Sequence, residues 1–88
     1  MLDDLAKRVL LAAATKNGSV HFFDNGNQTE IAASDLSIST TEPREMADHR
    51  HCIEQLQSNR FIETRTRYLF DVTKKGFDYA DTLKANHQ

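Results

Sequence analysis

The sequence has one cysteine, three glycines and no long apolar run, and each scarcity removes a class of protein. Cys52 alone cannot close an internal disulfide, so a reducing, cytoplasmic setting is expected. Gly18, Gly26 and Gly76 are too few and too scattered to build a loop that cradles phosphates. Met1-Leu2-Asp3-Asp4-Leu5 opens with acids and leads into nothing long enough to cross a bilayer, so neither a signal peptide nor a membrane span is expected. No internal repeat, low-complexity tract or linker interrupts the chain.

Hydrophobic residues make up 39% and charged residues 27% of the 88, a balance that argues against disorder and for one domain over residues 1–88. The net charge is −2, but its distribution is more informative. Residues 17–59 carry Arg44 and Arg50 against seven acids, giving −5. Residues 60–75 carry Arg60, Arg65, Arg67, Lys74 and Lys75 against Glu63 and Asp71, giving +3. Phosphate binding needs such local density more than a basic total, whereas the acidic centre argues against DNA.

Leu2, Leu5, Ala6, Val9, Leu10 and Ala13 share one face at helical spacing, which predicts a helix over 2–16 ended by Asn17-Gly18. Val20-His21-Phe22-Phe23 is a short β-prone run. After it, two readings compete. Asn25-Gly26 turns a hairpin into a second strand over Gln28 to Ala32, or Asn27 caps a helix with Glu30 three residues on, burying Ile31, Ala32 and Leu36. Ser37 to Thr41 reads as a connection.

Thr41 is placed to cap the next helix, with Pro43 in its first turn and Glu42 and Glu45 at the positive end of its dipole. That helix runs to about Ser58, with Asn59 as a left-handed terminator. At about 100° per residue, Met46, His49, Ile53 and Leu56 share its buried face, while Arg44, Ala47, Asp48, His51 and Gln55 lie opposite. Phe61-Ile62-Glu63 and Tyr68 to Val72 then read as strands joined by Thr64-Arg65-Thr66-Arg67. Thr73 caps a last helix with Phe77, Ala80 and Leu83 or Lys84 turned inward. The five phenylalanines read as core and not as a base-stacking platform.

The order from Leu56 to Leu83, a helix end, a sharp stop, a short basic hairpin and a capped helix, resembles the second half of a winged helix-turn-helix domain. That resemblance implies an α+β fold in the order helix, strand, helix, helix, two-stranded wing, helix: a three-helix core with a short strand, a β-wing and a C-terminal helix. It therefore selects the helical reading of residues 27–36. It also implies a small transcription regulator of bacterial or phage type that binds double-stranded DNA through the exposed helix and the basic wing. Arg44, Asp48, His51 and Gln55 would then face bases, Arg65 and Arg67 would hold phosphates, and Arg60, Lys74 and Lys75 would support them. A domain that buries only ~60–65% of its unfolded surface gains from self-association, so a homodimer through the first and last helices is expected.

The alternative is a protein–protein interaction module of the same fold, which the acidic centre favours. Metal chemistry and catalysis are not expected. His49 and His51 point about 200° apart on a helix, His49 with Cys52 supplies too few ligands for a closed zinc site, and nothing places a nucleophile beside a base.

Overall fold

The computed structural model describes residues 2–85. Asp3 opens the first helix, α1 (Asp4–Thr15), by accepting the Ala6 N–H on its carboxylate at 2.9 Å, which satisfies a donor the helix cannot pair itself. The helix ends where Gly18, at φ +68, donates its N–H back to the Ala13 carbonyl at 2.7 Å. Ala6, Val9, Leu10 and Ala13 are wholly buried along one side of α1, as the helical spacing of the sequence predicts.

After β1 (Ser19–Asp24) the chain does not enter a helix. It turns back through Asn25–Gln28 into β2 (Thr29–Ala33), turns again at Ser34-Asp35, and runs as β3 (Leu36–Thr40). The expected helix over 27–36 is therefore replaced by a hairpin, and the expected connection over 37–41 by a strand. The cause is local at the first turn and tertiary beyond it. Asn25 Oδ1 takes the N–H groups of Asn27 and Gln28 at 2.9 and 2.8 Å, and Gly26 adopts φ +88, so Asn27 is held in a turn and caps nothing. Ile31 then lies between Phe22 on β1 and Ile38 on β3, a cross-strand arrangement that favours β-branched residues.

The second helix, α2 (Pro43–Ser58), starts with Glu42 as its cap residue and no side-chain cap bond. Thr40, not Thr41, organises its entry: Thr40 Oγ1 accepts the Glu42 N–H at 3.1 Å and donates to Glu45 Oε1 at 2.6 Å. Met46, His49, Cys52, Ile53 and Leu56 form its buried face. At its end Asn59 stays right-handed at φ −86, and Arg60 is the residue that turns left-handed, at φ +62. Arg60 donates to the Gln57 carbonyl and Phe61 to the Leu56 carbonyl, both at 2.9 Å, the bond pattern of a left-handed helix stop. Asn59 is held in the helix because its own amide donates to Gln55 O at 2.8 Å.

The hairpin of β4 (Ile62–Thr64) and β5 (Leu69–Val72) follows, then α3 (Lys74–Ala85). Thr73 caps α3, accepting the Gly76 N–H at 3.0 Å. Gly76, Ala80 and Leu83 are buried on α3, whereas Phe77, expected to face inward, is 38% exposed.

The five strands form one antiparallel sheet in the order β3-β2-β1-β5-β4. The described residues are thus α+β, with three helices rather than the four expected. The register puts Val20, Ile31, Phe70, Val72 and Ile62 on the sheet face that joins the helical core. α1 packs against α2, α3, β1, β2 and β5. Its apolar stripe is therefore consumed within the monomer. The other sheet face carries His21, Phe23, Glu30, Ala32, Leu69 and Asp71, all at least partly exposed. Among the described residues, no helix is long and apolar enough to cross a membrane.

Candidate functional site

The residues expected to read bases lie on the outward side of α2, and two of the four, His51 and Gln55, are already bonded within the domain. Gln55 Nε2 donates to His51 Nε2 at 2.7 Å, and Gln55 Oε1 accepts the Asp3 N–H at 3.0 Å. Both polar ends of Gln55 are thus engaged within the domain, and His51 with it. Arg44 and Asp48 are exposed, on a helix whose other exposed charges are Glu45 and Glu54. Together with Glu42 at its entry, the exposed charges along α2 are one cation against four carboxylates.

The β4–β5 hairpin is present, and Arg65 and Arg67 stand on the loop between its strands. Their surroundings differ. Arg65 Nε lies 2.8 Å from Asp71 Oδ2, an ion pair near solvent whose strength water screens. Arg67 sits 6.0 Å above the Tyr68 ring and makes no ion pair among the described residues. Lys74 is bonded to Asp78 at 3.1 Å, Lys75 lies over the Phe61 ring at 5.4 Å, and Arg60 holds the chain reversal with its carbonyl accepting from Thr73 Oγ1 at 2.6 Å. Among the described residues, Arg60, Arg67 and Lys75 have no carboxylate partner, whereas Arg65 and Lys74 do.

Three features of the surface were not anticipated from the sequence. Tyr68, 39% exposed, sets its ring 5.6 Å from Phe23 and 6.3 Å from His21 on the open sheet face. Phe23 is therefore no core residue. The alternation of β1 gave the only clue, since Val20 and Phe22 leave His21 and Phe23 to the other side. Asp24 and Arg50 form a two-bond ion pair at 2.7 and 3.1 Å, and the guanidinium holds the Asp24 carboxyl below its usual range, helped by the Gly26 N–H.

The third feature is a cleft of about 320 Å³ between α1, β3 and α2, lined by Leu5, Arg8, Ile38, Thr40, Asp48 and His49 among others. His49 forms part of its wall. Its Nδ1 meets Thr29 Oγ1 at 2.8 Å, and burial lowers its pKa against the opposing pull of Glu45 and Asp48. Cys52, one turn on, is completely buried, and burial pushes its thiol up to about 12. A group held in that state is neither nucleophile nor metal ligand. No set of three His, Cys, Asp or Glu side chains converges among the described residues.

No family model, curated protein or solved structure matches this chain.

Proposed function

We propose that this chain is a winged-helix-type interaction module whose α2 face binds a basic segment of another protein. The fold part of the reading is supported by element order. With the β2–β3 hairpin set in place of the second helix, the remainder runs helix, strand, helix, two-stranded wing, helix, as the resemblance implies. The observation that carries the functional part is the state of α2. Its exposed charges are Glu42, Glu45, Asp48 and Glu54 against Arg44, and its candidate base-reading pair is already bonded to itself and to Asp3. Such a surface repels phosphate and attracts lysine and arginine side chains.

DNA binding is the second reading, favoured by Arg67 at the wing tip and by Arg60 and Lys75 at the start of α3, which lack carboxylate partners. Retention on immobilised duplex DNA at low salt separates the two. The interaction-module reading expects no retention, together with backbone NMR shift changes confined to α2 on titrating a lysine-rich peptide, lost in the Glu45→Gln/Asp48→Asn/Glu54→Gln variant. Retention that falls steeply with salt and is weakened by Arg65→Ala/Arg67→Ala would overturn it in favour of DNA.

A further inference from the structure

The two edges of the sheet are built very differently. β4 is three residues long, carries Glu63, and is flanked by Arg60 and Arg65. Short length and charge blunt an edge against further pairing. β3 has no such protection. Leu36 to Thr40, and Thr41 beyond it, contain no charge and no proline.

The register shows which backbone groups of β3 are free. Ser34-Asp35 is a two-residue turn, so Ala33 and Leu36 form a bonded pair at its mouth. Bonded and non-bonded pairs alternate along an antiparallel ladder, which makes Ile31–Ile38 bonded and leaves Ala32–Ser37 and Glu30–Ser39 non-bonded. The neighbouring ladder agrees: Asn25 N–H bonds Gln28 O at 3.2 Å, which puts Phe23–Glu30 and His21–Ala32 among the bonded pairs of β1 and β2. Ser37 and Ser39 therefore turn their N–H and C=O groups away from the sheet, and among the described residues nothing bonds them.

We infer that β3 is a self-association edge, pairing antiparallel with β3 of a second copy of this chain about a two-fold axis through Ile38. Ser-Ile-Ser reads the same in both directions, so the axis sets Ser37 against the partner's Ser39 and Ser39 against the partner's Ser37. Each pair exchanges both of its backbone bonds. On the helix side, half-buried Ile38 meets its own copy and Leu36 meets the partner's Thr40, covering apolar surface that the monomer leaves partly wet. A neutral strand pays no like-charge penalty for meeting itself. This surface is separate from the exposed face of α2 and does not depend on the reading given to that face.

The test is sedimentation equilibrium of the full chain over a range of concentrations, alongside Ser39→Pro. Because the Ser39 N–H points outward, proline there removes a donor used only between copies and leaves the β2–β3 ladder in place. The wild type is expected to approach twice the monomer mass, and Ser39→Pro to weaken association by roughly tenfold or more with an unchanged far-UV spectrum. Ile38→Cys gives a second readout, since the facing residues lie close enough for a disulfide between copies, while Cys52 is buried. A wild type that stays monomeric throughout overturns the inference. So does a dimer that neither weakens with Ser39→Pro nor cross-links through Ile38→Cys.

Discussion

Gly76 lies directly beneath the backbone of Phe61: a β-carbon on Gly76 would collide with the Phe61 carbonyl oxygen and press on Val72 Cγ1 at 2.9 Å. The same carbonyl accepts the Thr73 N–H at 3.0 Å, so the start of α3 is clamped to the chain reversal after α2. Backbone rather than a movable side chain is the obstacle. Gly76→Ala is therefore expected to destabilise the fold by roughly 1–3 kcal/mol, although alanine is the better helix former. Urea unfolding followed by circular dichroism measures it, and a neutral or stabilising result would contradict the clamp.

Arg60 supplies the opposite case. It occupies a left-handed conformation, φ +62, that costs a side-chain-bearing residue about 1 kcal/mol and glycine almost nothing. Arg60→Gly is expected to raise stability by roughly 0.5–1 kcal/mol, less the loss from a more flexible unfolded chain. The urea midpoint should move up with no change in slope.

His49 makes stability depend on pH. Its folded pKa lies below the ordinary 6.5 because burial disfavours the imidazolium, and Glu45 and Asp48 only partly oppose this. Above about pH 6.5 the ring is neutral in both states and its contribution is complete. As pH falls below that value the unfolded chain takes up a proton that folded His49 resists, and stability is lost until the lower folded value is passed. His49→Leu should flatten this part of the stability profile, below about pH 6.5. Thr29→Val, which takes away the partner of Nδ1, should cost roughly 1–3 kcal/mol at neutral pH.

Cys52 should be inert in the folded protein. It is wholly buried with its thiol pushed up to about 12, so almost no thiolate exists at neutral pH and reagents have no path to it. A thiol-specific disulfide reagent is expected to label it only in denaturant. Fast labelling of the native protein would show that the core under α2 opens readily.

The helix pattern from Leu2 to Ala13, the buried face of α2, the break near Asn59, the strand pair after it and the Thr73 cap were all legible in the sequence. Each rests on neighbours within a few residues: helical spacing, a cap with its N–H, a chain reversal with its flanking strands. Such short-range preferences act before any tertiary contact exists. Residues 27–40 were different. Asn27 with Glu30 satisfies the capping-box pattern, and Thr29 to Ala33 satisfies a strand equally well. The choice was made by Phe22 and Ile38 on either side of Ile31, and strand stability depends on such partners.

The charges divide in the same way. The sequence by itself determined that cations cluster in residues 60–75 and carboxylates in the middle of the chain. Only the tertiary structure decided that Asp24 would answer Arg50 from 26 residues away, that Asp71 would answer Arg65, and that Gln55 would spend its amide on His51 and Asp3. It also left Phe77 partly in water against Gly18, and left β3 on the rim of the sheet, paired with β2 alone among the described residues. Periodicity states which side of an element is apolar, but the partner of a side chain or strand is set by how distant segments pack, and one sequence pattern is compatible with many such packings.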